Sequence, residues 1–385
     1  MTCPGCKQDA RCKGFRPRTA LSLLGVLRLR RHYYLCPHCH QGTCPLDELL
    51  RLRAGDLTPA ADAIVCLAGV QASFAEAADK TLPRLAGLRV SESTVERATE
   101  AAGTRIAQAQ AAGQTFGSPR PWAWHKDAEG KTVGYVAVDA TGVGMQGDNG
   151  AQAEGRMAYV GMVYNPVPEQ REQWADPTGK RPPWQARYVA GVHPLAALAQ
   201  PLRRQAGQVG LDDAERWVAL SDGGSGLEDF LRDNFGRVEA VILDFWHVAE
   251  YLGDLSKALH PGQEEAAQTW QEQWCHRLKH EGGPAVLEAL RGLDLKGRSP
   301  EARQTHREVV TYFNNQVHRM DYPFYRAKGW QIGSGPVESA CKTVVGQRLK
   351  GAGMRWGEDG ADALCHLRAL FRSEPTQWEA FWGHN

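Results

Sequence analysis

The sequence predicts an α/β body carrying a helical insertion, preceded by a cysteine-rich module and a small helical domain. Three observations predict it: two Cys-x-x-Cys pairs in the first 40 residues, well-capped helical patterns from 57 to 106, and apolar runs that alternate with helical segments from residue 133. At 385 residues with 42% hydrophobic content, the chain can bury a sizeable core in two or three domains. No run approaches the roughly 18 apolar residues of a membrane span, and "MTCPGCKQDA" lacks the apolar centre of an export signal, so a cytoplasmic protein without a membrane partner is expected. Ten cysteines in such a chain argue for thiols or metal ligands over disulfides.

The first element is a module over residues 1–50. "CPGC" at Cys3 and Cys6 recurs as "CPHC" at Cys36 and Cys39, each pair set across a tight proline-containing knuckle. Four soft donors at this spacing suit a tetrahedral structural Zn²⁺, a zinc ribbon, with Cys12, Cys44, His38 and His40 as alternative ligands. Two redox motifs would share the pattern but lack a βαβ setting. "GVLRLRRHYYLC" alternates as a strand leading into the second knuckle. Residues 1 to 45 hold eight basic residues (Lys7, Arg11, Lys13, Arg16, Arg18, Arg28, Arg30, Arg31) against Asp9, although the whole chain carries a formal charge of +1. This imbalance points to a polyanion held at one end, nucleic acid first.

Residues 51–110 read as short helices: "LTPAADAIVCLAGV", "SFAEAADKTLPRL" and "VSESTVERATEAAGTRI". The third has a capping-box pattern, Ser93 followed by Glu96, and the trio resembles a helix-turn-helix. A helical spacer gives the same pattern, and Arg97 and Arg105 are offset by Glu92, Glu96 and Glu100. The turn-rich "QAAGQTFGSPRPWAWHKDAEGK" that follows reads as a linker.

The body begins near residue 131. "VGYVAVDATGV", "MAYVGMVYNP" and "ARYVAGV" predict three successive strands, with a proline-rich connection "NPVPEQREQWADPTGKRPPW" between the last two. Helix "PLAALAQPLRRQAG", strand "RWVALSD", helix "GLEDFLRDNF", strand "VEAVILD" and helix "FWHVAEYLGDLSKAL" follow. Three strands in a row and then alternating helix and strand describe a sheet of the ribonuclease-H-like kind. Asp139 and Asp222 follow apolar runs, at the edge where ligands of open α/β sheets sit. Two carboxylates there repel, and Mg²⁺, which prefers oxygen ligands, relieves the repulsion; a pair of such ions suits phosphoryl transfer. Each aspartate alone is equally explained as a cap or turn residue, "SDGGSGL" being rich in turn signals.

A third acid is expected from a later helix. In "GWQIGSGPVESACK", Pro336 fixes a first helical turn that carries Glu338, while Val337, Cys341, Val344 and Val345 give a buried stripe. A favourable charge at a helix N-terminus, paired with Lys342, explains a glutamate there but not so elaborate an approach.

Together "VDATGV" with Asp139, "LSDGGSGL" with Asp222, "LDFWHVAEYL" with Asp244 and His247, and "YFNNQVHRMDYPFYRAKGWQIGSGPVESACK" with Glu338 resemble bacterial insertion-sequence transposases of the DDE class, most closely the ISKra-type group. The resemblance runs over most of the chain. It implies a ribonuclease-H-like catalytic domain in which Asp139, Asp222 and Glu338 bind two Mg²⁺ or Mn²⁺ ions, hydrolyse a phosphodiester at each transposon end and pass the freed 3′-hydroxyl to target DNA. It also implies double-stranded DNA as partner and a homo-oligomer in the active complex. "DFWH" matches a D-x-x-H motif of related transposases, so Asp244 competes with Asp222 for the second metal-ligand role, and His247 orients a phosphate or a metal-bound water unless it serves only the helix start.

In this reading residues 131–256 are the first part of the catalytic core, 257–330 an all-α insertion and 331–385 the C-terminal core helices. Trp270, Trp274, Tyr312, Phe313, Tyr322, Phe324, Tyr325 and Trp330 are expected in the insertion's core. Arg319, Arg326, Lys328, Lys342, Arg348, Lys350 and Arg355 are candidates to track phosphates. The competing function is a DNA-binding protein, zinc ribbon plus helix-turn-helix, on a catalytically inert body.

Overall fold

The computed structural model describes residues 1–52, 55–147, 151, 153–167, 180, 184–333, 335–373 and 375–383. Most of the proline-rich connection after Asn165 lies outside them. The chain forms two compact units, one of residues 1–105 with 381–385 and one of residues 106–380. It is α/β, with one three-stranded and one five-stranded mixed sheet.

In the N-terminal unit, β1 (Arg11–Ser22) and β2 (Gly25–Leu35) make a long antiparallel ribbon, with the short β3 (Gly42–Thr43) on its edge. β1 is an addition to the sequence reading, in which only β2 is a strand. Lys7, Arg11, Lys13, Arg16, Arg28 and Arg30 are exposed, with Arg16 over the Tyr33 ring and Arg30 over Phe15. Arg18 and Arg31 are held by Asp47 instead. The three helical stretches form at Pro59–Gln71, 74–85 and from Glu92. The third is capped two residues earlier than its sequence suggests. Ser91 Oγ accepts from Thr94 N at 3.3 Å, so Ser91 is the cap and Ser93 lies within the first turn. Arg105 faces inward to Asp62 at 3.5 Å and stacks near Phe381 and Trp382, which removes it from the phosphate contacts a helix-turn-helix would make.

The five strands of the second unit are β4 (Val133–Val143), β5 (Arg156–Asn165), β6 (Gln185–Gly191), β7 (Arg216–Ser221) and β8 (Val238–Leu243), in the order β6-β5-β4-β7-β8. β4, β5 and β6 are antiparallel neighbours, while β7 and β8 run parallel to β4. Both faces are covered, which is why β4 reads as a continuous apolar run. Val136 and Val138 pack with Leu202 of the Ala199–Gln208 helix and Leu231 of Leu227–Asn234. The alternate residues Tyr135, Ala137 and Asp139 point the other way. The Glu358–Arg372 helix packs on β6.

The supposed linker belongs to this body. Trp122 and Trp124 are buried edge to face in its core, and Trp124 Nε1 donates to Gly210 O at 2.8 Å. Its turn residues made it look detached, but two indoles are too much apolar area to leave in water.

Residues 257–330 are helical, with helices Glu264–Arg291, Pro300–Gln316 and Tyr322–Ala327. Trp274, Phe313, Tyr322, Tyr325 and Trp330 are buried as expected; Phe324 is exposed. Among the described residues no helix is long and apolar enough to cross a membrane.

Candidate functional site

β4 pairs with β7 up to Ala137↔Leu220, and β7 with β8 up to Ser221↔Leu243. Continuing the register by one row or two brings Asp139, Asp222 and Asp244 into a single line across three adjacent parallel strands, at the edge where β7 and β8 end. Asp139 is not at the end of its own strand, as the sequence suggested: β4 runs on to Val143 beside β5. It meets the rim because β7 stops at Ser221.

The three aspartates are held differently. Asp244 is buried and caps the Phe245–Leu259 helix, accepting from Trp246 N and His247 N at 3.1 and 3.2 Å, while its own N–H donates to Ser221 O. Asp222 is half-buried, and its Oδ1 accepts from Gly224 N at 2.9 Å. Asp139 is half-buried and accepts from Ala140 N at 2.6 Å. Burial first, then the charge of Asp222 and more weakly that of Asp244, push its carboxyl up to about 6, against the Ala140 N–H and a hydrogen bond from the Cys341 thiol. That thiol is itself raised by burial and by Asp139.

Cys341 lies beside Asp139, and the segment that carries it and Glu338 packs on β4. Glu338 lies in the first turn of the Gly335–Ala340 helix, which packs on β4 and β5, and Cys341 opens a π-helical stretch to Gly346. Such stretches are uncommon and cluster at functional sites. Glu338 is three residues before Cys341, on the same side, and is exposed. Among the described residues, Asp139, Asp222 and Glu338 do not form a group with oxygens all within 4.8 Å of one another. Asp139, Asp222 and Asp244 do not form such a group either, and Glu338 lies one helical turn before Cys341.

The approach "GWQIGSGP" has a packing reason too. Ile332 O accepts from Phe245 N at 2.9 Å, and a Cβ on Gly333 would come within 2.9 Å of the Trp246 ring and 3.9 Å of Asp244 Oδ1. Glycine lets this segment lie directly over the Asp244 cap.

His247 is half-buried one turn into its helix, with Nδ1 3.3 Å from Glu250 Oε2 and its ring edge-on to Tyr251 and Tyr312. Tyr312 stacks on Tyr251 at 3.9 Å and covers Gly223, beside Asp222.

Several basic residues have other duties than tracking phosphate. Arg348 is buried against Trp356, and Lys328 pairs with Glu129. Arg319, 1% exposed, donates from Nε to Val241 O, from Nη1 to Asp222 O and Gln316 Oε1, and from Nη2 to Ser221 O and Oγ. Tyr322 Oη adds a bond to Leu243 O at 3.0 Å. The insertion thus grips the carboxyl ends of β7 and β8, a role that no periodicity announces. Arg326, Lys342, Lys350 and Arg355 are exposed, and Lys350 Nζ donates to Thr141 Oγ1 at 2.7 Å on the β4 rim.

In the N-terminal unit, Cys3, Cys6, Cys36 and Cys39 bring their sulfurs within 4.8 Å of one another. Cys3 and Cys39 Sγ are 3.5 Å apart, Cys6 and Cys36 Sγ 3.4 Å. A tetrahedron with 2.3 Å Zn–S bonds has an edge of about 3.8 Å, so the cluster is compatible with structural zinc. The two knuckles have the same backbone form. Lys7 N and His40 N donate to Cys3 O and Cys36 O, and both residues adopt left-handed φ of 62° and 56°. The Cys39 backbone N–H is the largest influence holding the Cys36 thiol down at about 6. Cys12, which neighbours His32, together with Cys44, His38 and His40, lies outside the cluster. Serine at Cys36 is expected to lose one equivalent of bound zinc and to expose the ribbon to limited proteolysis, read by metal analysis and digestion.

A second group went unnoticed in the sequence: His193, Asp362 and His366. Its members are far apart along the chain, and the only local signal is Asp362 and His366 at helical spacing.

No protein-family model matches this chain, and no curated protein matches it.

Proposed function

We propose that this chain is a DDE-class transposase with a ribonuclease-H-like catalytic body, a zinc ribbon and double-stranded DNA as substrate. One observation carries the reading: Asp139, Asp222 and Asp244 fall in one row across three adjacent parallel strands, with the Glu338 helix packed on β4 and β5 beside them. The strand order with three antiparallel neighbours followed by two parallel strands supports the fold assignment.

Asp139, Asp222 and Glu338 offer oxygen donors of the kind Mg²⁺ or Mn²⁺ takes, and Glu338 would have to move toward the two aspartates to complete the set; the carboxyl of Asp139 is raised by burial and then by the charge of Asp222, a repulsion a cation would relieve. When bound, the ions supply Lewis-acid activation of the attacking and leaving oxygens. The chain's own part is positional. Asp222 presents a carboxylate one of whose oxygens is fixed by Gly224 N–H, while both oxygens of Asp244 are committed to capping. This favours Asp222 as the ligand and Asp244 as the residue that orients the helix bearing His247. Arg319 holds the Ser221 and Asp222 carbonyls, so the end of β7 cannot shift as DNA enters. Water then attacks the phosphodiester, the 3′-oxygen leaves, and the resulting 3′-hydroxyl attacks target DNA with release of a second 3′-oxygen.

The exposed arginines of the β1–β2 ribbon support DNA contact, since a two-stranded ribbon fits the major groove. The test is a strand-transfer assay with Mg²⁺. Glu338→Gln is expected to lose roughly 100- to 1000-fold in rate, the worth of several kcal/mol of charge stabilisation. Wild-type activity in Glu338→Gln would remove the DDE assignment, whereas a wild-type chain that binds DNA but transfers no strand would favour the inert-body reading. Loss in Asp244→Asn with retention in Asp222→Asn would exchange the roles of those two residues.

A further inference from the structure

We propose that His193, Asp362 and His366 form a separate metal site that takes a first-row divalent cation of the zinc type. Asp362 and His366 are one turn apart on the Glu358–Arg372 helix, and His193 lies two residues beyond β6, which that helix covers. His193 Nε2 is 3.9 Å from Asp362 Oδ1, and His366 Nε2 is 3.5 Å from Asp362 Oδ2. Nitrogen and oxygen ligands at about 2.05 Å from a tetrahedral ion stand about 3.3 Å apart, so small side-chain shifts close the shell.

The surroundings orient the donors as ligands. Gln110 Oε1 accepts from His366 Nδ1 at 2.9 Å, and Pro194 O lies 3.4 Å from His193 Nδ1. Both Nδ1 atoms thus have an oxygen partner for a proton, and both Nε2 lone pairs face the carboxylate. Asp362 Oδ1 is fixed by Val192 N at 2.8 Å. Metal-binding histidines are held by just such outer bonds. At Gly191 a Cβ would overlap the His193 ring, so glycine lets the imidazole fold back over the strand end. His366 is buried, while the side chains of His193 and Asp362 are 24% and 28% exposed, which leaves an open side for water or another ligand.

The location gives the site its interest. Ala140, Tyr159 and Gly191 are register partners across β4, β5 and β6. The triad therefore stands on the same rim as Asp139, two strands away or about 10 Å. A cation there would tie the Glu358–Arg372 helix to the end of β6.

The test uses the full chain, stripped of metal and titrated with zinc chloride alone while excess magnesium occupies the acidic rim. Wild type is expected to bind two equivalents, His193→Gln and His366→Gln one each, with Cys36→Ser keeping the equivalent that the histidine variants lose. Cobalt in that Cys36→Ser chain should show visible d–d bands without thiolate charge transfer. His193→Gln, at a position about a quarter exposed, guards against a folding defect, because its melting temperature without metal should match wild type. Unchanged stoichiometry in both histidine variants would overturn the proposal, whatever the outcome of the strand-transfer assay.

Discussion

Asparagine at Asp139 is expected to abolish DNA cleavage and, in the absence of divalent cation at neutral pH, to raise the melting temperature. The carboxyl of Asp139 is pushed from 3.8 up to about 6 by burial and by its aspartate neighbours. A raised carboxyl means that the folded chain binds its proton more tightly than the unfolded chain does. Stability therefore falls as pH rises from about 4 to about 6, and the penalty is complete above that. At 1.36 kcal/mol per pKa unit the shift sets a ceiling of about 3 kcal/mol, and partial exposure to solvent reduces it to about 1–2 kcal/mol. The amide of Asp139→Asn has no charge to desolvate. That variant should melt several degrees higher than wild type at pH 7.5 and equal to it at pH 4, with magnesium stabilising wild type only. Thermal melts at the two pH values, with and without magnesium, read this directly. An Asp139→Asn chain that melts lower at pH 7.5, or that still cleaves, would contradict the assignment. Metal affinity of the wild-type chain should also weaken below about pH 6, because ligands must be ionised.

Alanine at Arg319 is expected to be the most destabilising substitution of the set. The guanidinium is buried and forks across two strand ends and Gln316, with Glu228 3.7 Å from Nε. Burial pulls its pKa down, and Glu228 opposes that pull, as befits a cation held away from water by fixed acceptors. Truncation strands the Val241, Ser221 and Asp222 carbonyls in a cavity that water fills poorly. Removing one partner of such a buried network costs about 3–5 kcal/mol, on the order of 10 °C in melting temperature. Lysine, lacking the planar fork, should recover part of this. Asp222 sits on one of the gripped carbonyls, so activity of the Arg319→Ala chain measured well below its melting point should also drop. An Arg319→Ala chain melting within a degree or two of wild type would remove the clamp from the account.

Much of the body was legible from residue pattern. The strands β4 to β8 and the intervening helices fall where their apolar runs predict, and the two Cys-x-x-Cys pairs announced the four-sulfur cluster. Those signals are local: periodicity follows from backbone geometry, and a knuckle needs only its own four residues. The Ser91 cap was missed because two serines two residues apart offer the same chemistry, and the packed fit of Trp122 and Trp124 was hidden under turn residues.

By itself the sequence determined the elements, the cysteine knuckles and the acids worth suspecting. Only the tertiary structure decided that Asp139 reaches the rim from the middle of its strand, that the Glu338 helix packs on β4, that Arg319 is a clamp, and that His193 meets Asp362 and His366. The physical reason is common to all four. Each depends on where a neighbouring strand ends or a distant segment returns, which is set by strand register and by the burial of whole faces, and these are properties of the assembled sheet that no stretch of residues carries alone.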